Sequence, residues 1–512
     1  MALSPQIEGN REAIGGLNPK LFWENFAALN EHPRDSMHET PALDAIKDWA
    51  KMSGFDCKQD KVGNLCVHVP ASEGVTAPPV IIQAHIDMVC VKTPESKHDF
   101  SKDPIELIKE KDYIKAKDTS LGADNLLGVA AAMAVAEDKT AIHPEMQILI
   151  TIDEESDFTG AINLDVKTLG LTGRQLINLD TEFPSTLITA SAAYCDIVGK
   201  LPCERESLQG NEGEYYELKL SGFTGGHSGL DIDKGRGSAN MCLIRILQKL
   251  SEKGVKIISI NGTGKSNSIS PFASAEIFVP SHVNVYEINS FLEGEKIEFR
   301  RTLKDENDCP NENIKIELTK LDKDVIQNVG AITSEPKGKI FTALKNIPEG
   351  VIERSHAKET LGSPESSSNT GFIRVGNDAE LKICARSYGD EETERIATGI
   401  VRALTEVGFI VELLSKGGSW VGDPNSLLSR TVLQTFERLD GDSGKVERVH
   451  GTLEISGIIE RLKMALGGDF DAVSFGTTIL DQHSTSERVP TADVERFYNH
   501  LCGVLEKLAT QQ

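Results

Sequence analysis

Apolar residues recur at helical spacing over 42–53 (ALDAIKDWAKMS), which predicts an amphipathic helix. A short apolar run at 79–84 (PVIIQA) has strand character. Residues 124–137 (DNLLGVAAAMAVAE) are rich in alanine and predict a buried helix, with Asp124 at its N-cap position. Two further buried strands are predicted at 147–152 (QILITI) and 175–179 (QLINL). Alternation of strand, helix and strand points to an α/β fold, a mixed or parallel sheet flanked by helices.

The pattern changes near residues 190–220, where a polar, glycine-bearing stretch leads into the alternating strand YYELKLSGF. Residues 285–325 are strongly charged and predict a solvated helix with loops. From about 405 the alternation of sheet and helix resumes, with a strand at 471–475 (DAVSF) and an amphipathic closing helix at 492–508. The expected organisation is a catalytic domain in two parts, 1–195 and 405–512, interrupted by an inserted α+β lid domain at 196–404. A chain of 512 residues is long for one core, which agrees with two domains.

Composition narrows the function. A net charge of −24 would repel phosphate, so neither nucleic acid nor an acidic membrane is an expected partner. The N-terminal stretch MALSPQIEGNREAIGG lacks the basic and apolar regions of a secretory signal. The longest nearly continuous apolar run, 126–136, falls short of the roughly 20 residues a membrane span needs. Nine cysteines without a C-x-x-C pair read as reduced thiols, and the expected location is cytoplasmic.

The candidate chemistry lies at predicted strand ends. His85 and Asp87 follow PVIIQA, Asp124 opens the alanine-rich helix, Glu154 and Glu155 follow QILITI, Asp180 closes QLINL, and His483 lies in a loop after DAVSF. Ligand sites of open α/β sheets form beyond the carboxyl ends of strands. Taken singly, an H-x-D pair, an acidic turn or a loop histidine is commonplace. Gathered together, these carboxylates would repel one another without a cation, and imidazole with carboxylate suits zinc.

The ordered series H-x-D, G-A-D-N, D-E-E, N-L-D and a late histidine resembles the zinc metallopeptidases of the carnosinase and aminoacylase superfamily, nearest to their aminoacyl-histidine (cytosolic non-specific) dipeptidase group. The likeness includes QAHIDMV (83–89), HDFSKDPI (98–105), LGADN (121–125), TGA (159–161), LINLDTE (176–182), GGHSG (225–229), GDPNS (422–426), HGTLE (450–454) and QHSTSERV (482–489).

The resemblance implies two zinc ions per chain, with manganese or cobalt as substitutes. His85 and Asp180 would hold one, Glu155 and His483 the other, and Asp124 would bridge them. Asp87 would orient His85, and Glu154 would act as general base on a metal-bridging water. The peptide Asp124–Asn125 would be cis. In the inserted domain, His227 would stabilise the oxyanion, while Asn267 and Arg386 would bind substrate, Arg386 through its carboxylate. The implied activity is hydrolysis of dipeptides, Xaa-His or broader, and a homodimer through the inserted domain is a further expectation.

This chain departs from the pattern in places. Leu126-Leu127-Gly128 replaces the usual G-I-G after the bridging D-N, and Ser156-Asp157-Phe158 replaces a small residue and glycine after the glutamate pair. The Asn267 segment (S-N-S-I-S-P-F) lacks an arginine after its proline, and Asp233 stands where relatives often have histidine. These differences leave substrate preference open. They also leave open a deacylase acting on small N-acyl amino acids, which would share metal site and base. A non-catalytic zinc-binding protein would have no need of Glu154.

Overall fold

The computed structural model describes residues 5–208, 210–322, 330–442 and 444–510; the first four residues and the end of the charged stretch, 323–325, lie outside them. The described chain forms two compact units. The first comprises 1–190, 420–448 and 453–512, and the second 191–419 and 449–452. The second unit therefore extends past the expected border at 404. Its strand Ile410–Gly417 hydrogen-bonds antiparallel to Ala193–Pro202, which holds it in that unit's sheet.

The first unit is built on a mixed sheet. Its strands run in the order Asp56–Gln59, Leu65–Val69, Met146–Thr151, Val80–His85, Gln175–Asn178, Asp471–Ser474, Thr186–Ser191 and Trp420–Val421. The Met146–Thr151, Val80–His85, Gln175–Asn178 and Asp471–Ser474 strands are mutually parallel, so their carboxyl ends share one edge. Leu65–Val69 and Thr186–Ser191 run antiparallel beside them. Val80–His85 and Met146–Thr151 are buried along their whole length, as strands covered on both faces must be.

Helix Ala123–Glu137 packs on this sheet and is buried nearly all round. Its alanines let the backbone approach closely, and Gly128 takes this furthest. A Cβ there would stand 3.0 Å from the Cβ atoms of both Ala84 and Leu179 and closer still to Asn125 Oδ1. Those two neighbours directly precede His85 and Asp180. Helices Lys20–Leu29 and Thr491–Thr510 cover it and contribute Phe22, Trp23, Phe26, Phe497 and Leu501 to one continuous core.

The second unit holds an antiparallel sheet in the order Lys315–Lys320, Gly213–Ser221, Ala273–Pro280, Lys256–Gly262, Pro364–Val375, Asp378–Ser387, Ala193–Pro202 and Ile410–Gly417. Helices Ala239–Glu252, Val285–Thr302, Ser334–Asn346 and Asp390–Thr405 supply Leu243, Leu247, Ile288, Leu292, Ile340 and Ile400 to its core. Lys315–Lys320 is a strand where the charged sequence predicts loop. It lies at a sheet edge, where charged side chains remain in water and blunt further pairing. Among the described residues no helix is long and apolar enough to cross a membrane.

Candidate metal centre

The residues singled out near the strand ends meet at the carboxyl edge of the parallel strands. His85 ends its strand, and Asp180 follows Gln175–Asn178. Glu154 and Glu155 follow Met146–Thr151 after Asp153, whose φ of 56° turns the chain. His483, at φ 57°, comes from the loop after Asp471–Ser474.

Asp124 is not the expected helix cap. Asp124 and Asn125 have non-helical backbone angles, and the peptide between them is cis. The capping oxygen belongs to Asn125, whose Oδ1 accepts from Gly128 N at 3.1 Å. The Asp124 carboxylate faces two imidazoles instead. Oδ1 lies 3.0 Å from His85 Nε2, and Oδ2 lies 3.3 Å from His483 Nε2. His85 Nε2 also stands 3.6 Å from Asp180 Oδ1 and 3.8 Å from Glu154 Oε2, while His483 Nε2 stands 3.0 Å from Glu155 Oε1.

Asp87 organises this cluster from beneath. It is fully buried, and its Oδ1 and main-chain oxygen lie 3.3 and 3.2 Å from His85 Nδ1. These contacts hold the ring so that Nε2 is aimed at the carboxylates. The same carboxylate accepts from Glu154 N at 3.0 Å, Glu155 N at 3.1 Å and Ser36 Oγ at 2.7 Å. One side chain thus fixes a histidine ring and the backbone of both glutamates.

The electrostatics are those of a cation site. Burial pushes the Glu154 carboxyl well above its usual range, and nearby Asp180 and Glu155 add to the rise. Burial raises Glu155 to about 7 and, further out, Glu182 to about 8. Burial works against Asp124 ionising, yet hydrogen bonds from His483 and His85 hold it below the usual carboxylate range. Among the described residues, no lysine or arginine pairs with Asp124, Glu154, Glu155 or Asp180. Four carboxylates against two imidazoles leave negative charge unmatched.

The donor atoms fit a metal. Those of His85, Asp124 and Glu155 lie within 4.8 Å of one another, as do those of His85, Glu154 and Asp180. In a tetrahedral zinc shell, with bonds of about 2.0–2.2 Å, donors stand about 3.3–3.6 Å apart. This grouping differs from the implied one: Glu154 stands among the donors, and Glu155 is grouped with His85, with His483 in neither set. Its 3.8 Å to His85 Nε2 is the longest of that imidazole's contacts.

Two other sets of partners carry no role in the sequence reading. Glu487 accepts from Leu121 N, Gly122 N and Ala123 N at 2.7, 2.9 and 2.8 Å, and Arg34 Nη2 donates to Leu121 O and Gly122 O. Together they clamp the turn that delivers Asp124. Gln482 donates to Glu182 at 2.7 Å, tying the His483 loop to the segment after Asp180. The signal for Glu487 stood within QHSTSERV, without a chemistry attached to it.

The remaining three predicted residues meet in the second unit. Gly226–His227 pairs with Ser268–Ile269, and Ser228 N donates to Asn267 O at 2.8 Å. Arg386 Nε and Nη1 reach Ser228 Oγ and Thr452 Oγ1, each at 3.4 Å. The arginine is only 4% exposed, its contacts are to hydroxyls and the Tyr194 ring, and no ion pair joins it to a carboxylate among the described residues.

No family model matches the chain. It is 30% identical over 501 residues to the cytosol non-specific dipeptidase of Escherichia coli, covering 97% of this chain and 99% of that protein. The crystal structure of aminoacylhistidine dipeptidase from Vibrio alginolyticus is similar with a TM-score of 0.78 at 28% identity, covering 96% of this chain and 98% of that one. A metallo-carboxypeptidase of the M20 family from Sulfolobus solfataricus shares the fold, with a TM-score of 0.52 at 15% identity over 96% of this chain and all of that one.

Proposed function

This chain belongs to the family of the cytosol non-specific dipeptidases, and from that premise we propose that it hydrolyses dipeptides at a centre holding two zinc ions. The observation that carries this reading is Asp124, whose two oxygens each face a different imidazole, as a bridge between two cations requires. His85 and Asp180 would hold one ion, Glu155 and His483 the other. Ions bound there would supply positive charge to polarise the peptide carbonyl and acidify water.

Glu154 takes the proton of the attacking water and returns it to the leaving amine nitrogen. Burial raises its proton affinity, which suits it to both halves of that transfer. Asp87 holds the backbone of Glu154 and the ring of His85 in register, so base and metal ligands keep their spacing. Arg386, buried without an acidic partner among the described residues, is available with Asn267 for the carboxylate end of a substrate, and His227 for the peptide oxygen.

The test is a hydrolysis screen on zinc-loaded protein with Xaa-His dipeptides, β-alanyl-histidine, cysteinyl-glycine, tripeptides and N-acetyl amino acids. Turnover is expected on dipeptides and lost in Glu154→Gln. Turnover confined to the N-acetyl amino acids would overturn the dipeptidase reading.

A further inference from the structure

Beneath the ligands lies a row of polar side chains where a buried parallel sheet ordinarily carries valine and isoleucine. Gln83 and Asn178 are register partners on adjacent strands, as are Asn178 and Ser474. Gln83 stands two residues before His85 and Asn178 two before Asp180, so the row lies on the ligands' own face of the sheet. Asn178 Nδ2 donates to Gln83 Oε1 at 2.6 Å, Ser474 Oγ donates to Asn178 Oδ1, and Thr181 Oγ1 meets Ser474 Oγ at 2.8 Å.

Glu454 closes the row at its other end. Its Oε2 accepts from Gln83 Nε2 at 2.8 Å and from Thr151 Oγ1 at 2.6 Å, and Gln83 Nε2 is itself 3.0 Å from Thr151 Oγ1. Thr151 is the last residue of the strand that leads to Glu154 and Glu155. Glu454 is 1% exposed, and Gln83, Thr151, Asn178 and Ser474 are wholly buried. It stands at the N-cap of helix Ile455–Leu466 and makes no side-chain bond to that helix. Burying five polar side chains is costly unless they are paired and serve a purpose that apolar packing would not.

We infer that Glu454 is a positioning residue of the metal centre. From outside the sheet it ties the His85 strand to the strand feeding Glu154 and Glu155, and through Gln83 it ties both to the Asp180 strand. The ligand row inherits its spacing from this polar row one pleat below. The role rests on the metal reading and concerns geometry. Burial pushes the Glu454 carboxyl up to about 8, so at neutral pH it is mainly a protonated acid, and glutamine is a close mimic.

The test uses the full chain with Glu454→Gln, Glu454→Leu and Thr151→Val. Zinc affinity of the metal-free protein is measured by chelator competition, alongside its Tm and, for the loaded enzyme, kcat and KM. Glu454→Leu removes both acceptor bonds and is expected to weaken zinc binding about 10- to 100-fold, the loss typical of partners that orient ligands. Its kcat should fall more than its KM rises. Thr151→Val, which removes one of the two donors to Glu454 together with the hydroxyl's contacts to Gln83 and Ala84, should show a smaller loss of affinity. Glu454→Gln keeps an acceptor oxygen for both donors and should bind zinc like the parent.

Unchanged affinity in Glu454→Leu or Thr151→Val, with Tm lowered, would leave Glu454 a folding anchor and overturn the proposal. Equal impairment in Glu454→Gln and Glu454→Leu would overturn it too, by making charge the active property. Should Glu454→Leu not fold, Thr151→Val decides. A parent chain that binds no divalent cation would overturn the metal reading and this proposal together, whereas tight parent binding with unaltered variants removes the positioning role alone.

Discussion

Glu154 and Glu155 are neighbours in sequence with different proposed roles. Glu155 Oε1 contacts the imidazole of His483 at 3.0 Å, whereas Glu154 stands off at 3.8 Å from His85. Glu155→Ala is expected to lower zinc content, read by elemental analysis. Glu154→Gln is expected to keep its zinc and lose about 10²- to 10⁴-fold in turnover. Near-normal activity of that variant would remove Glu154 as the base. Asp87 carries a sharper test, because it accepts from four donors around one carboxylate. An amide has one acceptor oxygen, so Asp87→Asn turns an NH₂ toward a backbone N–H of the glutamate pair. We expect about a 10- to 100-fold drop in metal affinity or kcat/KM. A variant indistinguishable from the parent in both would show that Asp87 serves only to fill space. His85 and Asp87 were legible as candidates from their H-x-D spacing and His483 from its place at the end of the ordered series, but the donors on Asp87 come from residues 36, 154 and 155 as well, and no local pattern announces them.

At the scale of elements, the helix Ala123–Glu137 and the strands Val80–His85 and Gln175–Asn178 form the platform for the site. Gly128 permits their contact, since a methyl group there meets Ala84 and Leu179 from two sides. Gly128→Ala is expected to destabilise the chain by about 1–3 kcal/mol in urea unfolding, as overpacking does, and to weaken zinc binding because His85 and Asp180 adjoin the displaced residues. A variant as stable as the parent would mean the helix can shift without cost. The sequence predicts this helix and its buried strands to within a residue or two, because apolar runs and alanine content are local signals. It misplaces the cap at Asp124, since propensity does not separate an aspartate that caps from one that turns outward with Asn125 capping in its place. The edge strand Lys315–Lys320 escapes for a related reason: exposed charge looks the same in a loop and at a sheet edge.

For the whole molecule, the acidic centre is expected to make stability depend on metal and pH together. In the metal-free chain, burial raises Glu155 to about 7 and Glu182 and Glu454 to about 8. Unfolded glutamates ionise near pH about 4.3. Between roughly pH 5 and 8 the native state therefore binds more protons than the unfolded one, and stability falls as pH rises. Divalent cations bound there would take the place of those protons. The Tm of chelated protein should decline across that window, while zinc-loaded protein should show a higher and flatter profile. Parallel curves with and without zinc would count against the site as a metal centre.

By itself the sequence determined the order of the candidate residues and their placement at strand ends, because hydrophobic period and turn chemistry are written locally. It also determined the net charge of −24. Only the tertiary structure decided which atoms face each other. The two oxygens of Asp124 divide between His85 and His483, residues that lie in opposite parts of the chain, and Glu454 reaches Gln83 across a similar span. Such contacts depend on how strands stack and helices dock, and packing is a property of the whole chain, not of any window along it.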